Sequence, residues 1–369
     1  MGMGRLKKVF PGGNTSRGFH SFYDYIIEPD ATRIFVIKGG PGVGKSTFMR
    51  KIGEAILEKG FDVEFHCCSS DNGSLDGLVI PAIRVAMLDG TAPHVVDPKN
   101  PGAVDEIIHL GDHWNAGGLV KNKQDILDSN REVGRLFRRA YGYLASAKIF
   151  LDQVESYYQD TGALDVGALD NMCLELTHQI FEAKERQTAR PKARHLFITA
   201  ITPDGSVSHL DTVVDKLGKR YIITGDDGTG KTTLVKRLAD AAMMRGFDVE
   251  AYHCALTPDN IDHLIIPALD IAVINSVEPH FYKPQDGDEV IDTMQFVNPV
   301  LNTQYLAEKT TAREMYRRSM ELAIEFISKA KAEHDRMETF YVPYMNFDEI
   351  NARRDKTLSR ILELAKEKK

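Results

Sequence analysis

Residues 39–47 read Gly39-Gly40-Pro41-Gly42-Val43-Gly44-Lys45-Ser46-Thr47, and residues 225–233 read Gly225-Asp226-Asp227-Gly228-Thr229-Gly230-Lys231-Thr232-Thr233. Each stretch follows a β-branched and aromatic run, Ile34-Phe35-Val36-Ile37 or Tyr221-Ile222-Ile223, and leads into a segment of helical character. A G-x-x-x-x-G-K-[ST] loop between strand and helix has a physical reason for every part. Its glycines let the backbone curl so that successive N–H groups form a nest for phosphate oxygens. The helix that follows adds the positive end of its dipole. Lys45 and Lys231 are then spaced to reach terminal phosphates, and the hydroxyls of Ser46 and Thr232 to ligate Mg²⁺.

The two loops belong to a repeat. Lys45 and Lys231 differ by 231 − 45 = 186 positions, and the same offset lays Gly60-Phe61-Asp62-Val63-Glu64 on Gly246-Phe247-Asp248-Val249-Glu250. It also lays Cys68 on Cys254, Asp76 on Asp262, and Leu78, Ile80, Pro81 and Ala82 on Leu264, Ile266, Pro267 and Ala268. The period far exceeds the roughly 20–50 residues of stacked repeats, so a whole domain is duplicated. In each copy a helix, about Ser46 to Glu58 or Thr232 to Met244, ends at Gly60 or Gly246. A second strand follows (Val63 to Cys68; Val249 to Cys254), then a third apolar run ending at Asp89 or Asn275. This alternation predicts an α/β fold of two tandem domains, each a parallel sheet with flanking helices.

Beyond each core the pattern turns helical. Val133, Phe137, Ala140, Leu144, Ala147, Leu151, Val154 and Tyr158 form one apolar stripe, and Asp160-Thr161-Gly162 breaks it before a second helix from Leu169 to Ala183. Tyr316, Ala323, Phe326 and Ala330 repeat the stripe, with a break near Pro343. The expected organisation is a first domain over 1–192 with a helical hairpin at about 121–188, and a second over 193–369 with a hairpin at about 303–369.

Composition narrows the function classes. A chain of 369 residues, 43% hydrophobic and 27% charged, is a globular protein long enough for two domains. Its net charge of −7 argues against a nucleic-acid scaffold. Basic residues in MGMGRLKKVFPGGN precede no apolar segment, and Leu264 to Ile274 is too short to span a bilayer, so a cytoplasmic protein without a membrane partner is expected. Four cysteines in such a chain make no disulfide framework.

Several residues are candidates for the chemistry around the loops. Asp89 closes Val85-Ala86-Met87-Leu88, where a carboxylate can serve Mg²⁺, but its counterpart is Asn275. The first copy is therefore expected to be the better site for hydrolysis or phosphotransfer. Asp76 and Asp262 recur in both copies but precede the strand instead of following it, and Asp71 faces Thr257 in the alignment. Arg138-Arg139 and Arg317-Arg318 occupy matching places on the long helices, and Arg139 is the candidate for reaching a phosphate from a lid. His94 and His280 read as turn histidines, and His66-Cys67-Cys68 and His253-Cys254 as buried strand residues, since adjacent side chains point to opposite faces. Asn122-Lys123-Gln124-Asp125 spells a guanine-reading tetrapeptide, but no buried strand precedes it and the second copy lacks it, so ATP is expected over GTP.

The two GxxxxGK[ST] loops, GFDVE after the loop helix and Asp89-Gly90-Thr91-Ala92-Pro93-His94 resemble the P-loop NTPase superfamily. More narrowly, the chain looks like a bacterial family of duplicated, nucleotide-kinase-like ATPases. That likeness implies ATP and Mg²⁺ at Gly39–Thr47 and Gly225–Thr233, and it names no substrate. The expected function is ATP binding with Mg²⁺-dependent hydrolysis coupled to conformational change. A small-molecule or nucleotide kinase and a non-hydrolysing nucleotide sensor are the other two classes. Either an unnamed small-molecule acceptor or a protein partner would complete the first two.

Overall fold

The computed structural model describes residues 2–91 and 95–367, so His94 lies outside the described residues. The first half runs β1 (Leu6–Val9), β2 (Gly12–Thr15), β3 (Gly18–Ser21), β4 (Arg33–Lys38), α1 (Lys45–Glu58), β5 (Val63–Cys67), β6 (Leu75–Ile80), β7 (Val85–Asp89) and β8 (Asp105–His109). Three helices follow: α2 (Ala116–Lys121), α3 (Lys123–Asp160) and α4 (Val166–Phe181). The second half repeats the plan with β9 (Ala193–Phe197), β10 (Thr199–Thr202), β11 (Gly205–Ser208), α5 (Leu210–Val214), β12 (Lys219–Thr224) and α6 (Lys231–Met244). It continues with β13 (Val249–His253), β14 (Ile261–Ile266), β15 (Ile271–Asn275), β16 (Glu289–Asp292), α7 (Pro299–Asn302), α8 (Leu306–Glu338) and α9 (Phe347–Glu367).

Two six-stranded sheets result, ordered β1-β5-β6-β7-β4-β8 and β16-β12-β15-β14-β13-β9. They are mixed, not parallel throughout. β6 is antiparallel to both β5 and β7, and β14 to both β13 and β15, while the remaining pairs are parallel. The apolar run up to Asp89 is thus a hairpin. Its turn, Pro81–Ile83, contains no polar or glycine marker, and Arg84 supplies the left-handed residue at φ 54°. Asp270 does the same at φ 56° in the second half.

The sheets meet edge to edge where Phe10 and Phe197 exchange backbone hydrogen bonds of 2.8 and 3.0 Å. Beside that bridge, Lys7 and Arg194 interleave with Glu64 and Glu250. Lys7 Nζ lies 2.9 Å from Glu250 and 3.3 Å from Glu64, and Arg194 lies 2.6 Å from Glu64. Burial alone would push the Glu64 carboxyl up, yet the two cations hold it well below the usual carboxylate range.

The apolar stripes find partners across the duplication. α3 does not fold back on α4. It lies antiparallel along α8, with Tyr143 stacked on Phe326, Tyr157 on Tyr305, and Arg336 donating to Ser129 Oγ at 2.8 Å. Ala140, Ala147, Ala323 and Ala330 are fully buried and let the helix backbones approach closely. Each arm then crosses over: Cys173, Leu176, Ile180 and Phe181 of α4 join the core of the second sheet, and Ile350, Ile361 and Ala365 of α9 join that of the first. Among the described residues, no helix is long and apolar enough to cross a membrane.

Candidate active site

Each glycine-rich loop joins the end of a central strand to a helix, residues 39–44 between β4 and α1 and 225–230 between β12 and α6. The turn needs left-handed backbone at equivalent places. Gly42 and Gly228 have φ of 66° and 86°, and Gly44 and Gly230, the residues before the helices, 83° and 87°. Val43 is fully buried and pins the first loop to the core, as Thr229 pins the second by bonding Thr293 at 2.6 Å. Lys45 Nζ donates to the carbonyls of Gly39 (3.0 Å) and Gly40 (2.9 Å), and Lys231 Nζ to that of Asp226. Lys231 is the more buried of the two, and burial lowers its pKa. Thr47 and Thr233 are exposed on the first turn of their helices.

The antiparallel β6 changes the standing of Asp76. Gly77 pairs with Leu88, so Asp76 sits opposite Asp89 at the sheet end that carries the loop. Asp76 does not precede a strand but stands near the start of β6, and that is what brings it there, because β6 runs the other way. Ser46 Oγ accepts from the N–H of Leu75 at 2.9 Å, and Asp89 lies 3.6 Å from Lys45 Nζ. Lys45, Ser46, Asp76 and Asp89 therefore converge. Burial and the neighbouring Asp89 push the Asp76 carboxyl up to about 7, against hydrogen bonds from Tyr23 and Cys68. Burial also raises Asp89, which Lys45 and the N–H of Thr91 oppose.

The second half keeps only part of this set. Asp262 stands opposite Asn275, whose Nδ2 donates to it at 3.4 Å, and His280 Nε2 is 3.9 Å away. His263 packs edge-on against His280 where the first half has Gly77. Burial keeps both rings neutral by lowering their pKa values. The Asn275 amide stands here where the first half has a second carboxylate. Thr232, the counterpart of Ser46, is half-buried at the start of α6.

Both loops are roofed by the opposite half. The N–H of Gly42 donates to Glu338 Oε1 at 3.2 Å, at the C-terminal end of α8. Tyr341 lies over Gly40, Val342 over Gly42 and Phe347 over Gly44, so closely that a Cβ on Gly40 would come within 2.8 Å of the tyrosine ring. At the second loop, Glu155 and Tyr158 of α3 lie over Gly228 and Leu169 of α4 over Gly230. Asp226 there accepts from Tyr158 Oη (3.1 Å) and Arg313 (3.0 Å). Asp71 caps its own turn through Gly73 and Ser74 and lies 3.6 Å from Lys331 of α8. Backbone clasps hold the roofs: Asn115 N–H to Tyr344 O and Asn346 N–H to His113 O on one side, Asp165 N–H to Phe296 O and Asn298 N–H to Ala163 O on the other.

Other candidates are not brought to the loops. Arg138 and Arg139 are exposed midway along α3, and Arg139 is 16 positions before Glu155, about 24 Å along the axis at 1.5 Å per residue. Arg318 is likewise exposed and pairs with Glu321. Asn122 caps the α2–α3 junction and Asp125 lies in the first turn of α3, with no strand before them. His66 and Cys67 end β5 and His253 ends β13, while Cys68 and Cys254 stand just past those strands. Among the described residues, no group of three or more His, Cys, Asp or Glu could hold a metal ion. Glu338, Tyr341 and Arg313 carry no motif that singles them out in the sequence. Comparison with known proteins finds no family model, no curated protein and no solved structure that matches this chain.

Proposed function

We propose that the chain is a tandem P-loop NTPase that binds ATP with Mg²⁺, hydrolyses it in the first half, and couples that event to movement of the crossed arms. One observation carries the reading: the Glu338 carboxylate on the N–H of Gly42. A loop N–H that already donates to a carboxylate is placed to meet an anion, and a triphosphate and Glu338 cannot share the same donor. Nucleotide binding then pushes the end of α8, which belongs to the other half, off the loop. The Ser46 hydroxyl and the Asp89 carboxylate are hard oxygen donors of the kind Mg²⁺ takes alongside phosphates and water. Bound there, the ion would offset charge on the transferring phosphoryl group. Lys45 would leave its loop carbonyls for the phosphates. Asp76 would accept the proton of the attacking water as the bond to the γ-phosphorus forms and the bond to ADP breaks; a carboxyl near 7 suits that exchange. The second half, with Asn275 for Asp89 and two aspartates in its loop, would bind nucleotide without comparable turnover.

The test is phosphate release from Mg-ATP by the full chain, beside hydrogen exchange over 338–342. Turnover should fall by at least about a hundredfold in Lys45→Ala and by less in Lys231→Ala. ATP should raise exchange in the 338–342 segment. Equal losses in the two variants would sink the assignment of hydrolysis to the first half, and unchanged exchange would sink the coupling.

A further inference from the structure

We infer that the base of the nucleotide in the first half stacks on Trp114, in a groove shared between the halves. The inference rests on the nucleotide reading above and extends it to a purine subsite. A groove of about 350 Å³ opens between residues 112–115 of the first half and residues 343–349 of the second. His113, Trp114 and Asn115 form one wall; Tyr344, Asn346 and Glu349 form the other.

The groove lies near the glycine-rich loop, with Leu110 and Tyr341 between them. Leu110, which opens the turn after β8, lies against Gly39, and Tyr341 covers Gly40. The rings of Tyr341 and Trp114 are 6.5 Å apart between centroids. A base carried by phosphates at 39–46 thus has an aromatic surface near the loop, just past the turn that follows β8. Trp114 is half-buried and lines the groove. The walls are fixed by backbone, through the two 2.8 Å bonds of the clasp, and His113 Nδ1 meets Glu349 Oε2 at 2.8 Å across the cleft. Tyr344 is seated on Gly118, where a Cβ would lie within 2.0 Å of its ring, so its position is set by packing. Polar edges around an aromatic platform suit a heterocycle with donors and acceptors at its rim.

The second half has an aliphatic residue at the matching position. The residue at the matching backbone bridge is Val297, paired with Leu164 where Trp114 pairs with Met345. Base stacking is therefore confined to the first site, the one with the carboxylate pair.

Trp114 is the only tryptophan in the chain, so its emission reports this groove alone. The experiment combines equilibrium dialysis of labelled ATP against the full chain with tryptophan fluorescence, using Mg-ATP and Mg-tripolyphosphate as probes. ATP should quench Trp114 over the same concentration range in which it is retained, and tripolyphosphate should displace it without quenching. Trp114→Ala should weaken ATP about tenfold, the loss expected for one stacked base, and leave tripolyphosphate unchanged; Trp114→Phe should stay within about threefold. Should Trp114→Ala lose its helical circular dichroism, Tyr344→Ala, on the opposite wall, is read in its place with the same expectation. Retention of ATP with unaltered affinity in the alanine variant overturns the stacking site and leaves the nucleotide reading standing. No retention by the unaltered chain overturns both.

Discussion

A carboxyl buried beside a second carboxyl holds its proton to higher pH, and Asp76 is so placed, 4% exposed and opposite Asp89. Its pKa rises from 3.8 to about 7 on folding, chiefly through burial. The folded chain therefore holds a proton that the unfolded chain gives up between those values. The stabilising contribution is complete below about pH 4 and is lost as pH rises through about 7. Asp76→Asn removes the titration while keeping the shape. At pH 8 it should stabilise the chain, with a ceiling of about 4 kcal/mol, and at pH 4 it should change stability little. Urea denaturation at the two pH values checks this, and an equal difference at both would show that Asp76 does not titrate in that range. The same variant should lose at least about a hundredfold in ATP turnover, because stability and chemistry make opposite demands on a buried base. Lys45, Ser46 and Asp89 were legible in the sequence because the loop motif and the strand end place them. Asp76 was not, since its role depends on the direction of β6, which no local pattern records.

Helices were the most legible elements. The stripe from Val133 to Tyr158 falls within α3, and Gly60 and Gly246 stand just past the ends of α1 and α6. Hairpin turns were less so: the β6–β7 connection is apolar and uses Arg84 where a glycine or asparagine would have marked it. An apolar stripe also says that a face is buried without saying against what. Here the partner is the other long helix, and alanines set the spacing. Ala323 is fully buried at that seam, so Ala323→Leu must push α3 and α8 apart or strain the new side chain. The expected cost is about 1–3 kcal/mol. Ile149, on the same helix pair but 62% exposed, is the control, and Ile149→Ala should stay within about 0.5 kcal/mol. Chemical denaturation of the two variants measures both, and similar small effects would mean that the seam is loosely packed.

The duplication could be read from the alignment of residues, but the exchange of arms could not, because a repeat fixes what each copy contains and leaves open which copy it packs on. The crossed arrangement makes the halves depend on one another. Separated at the exposed segment 184–190, residues 1–192 would keep α3 and α4 but lose α8, the second-sheet core that receives Leu176, Ile180 and Phe181, and the α9 side chains that complete the first core. Glu64 would retain Lys7 and lose Arg194, leaving a buried carboxylate short of one partner. The loop at 39–47 would lose Glu338 and Tyr341. Residues 1–192 expressed alone should therefore self-associate, because two copies can cover the exposed stripes only by trading arms or by aggregating. Co-expressed with residues 193–369 they should form a one-to-one complex that restores the α3–α8 pair. Sedimentation analysis of the fragment and of the co-expressed pair distinguishes the cases. A monomeric, cooperatively unfolding fragment 1–192 would show that each arm can fold onto its own half, and would remove the basis for any coupling between the two loops.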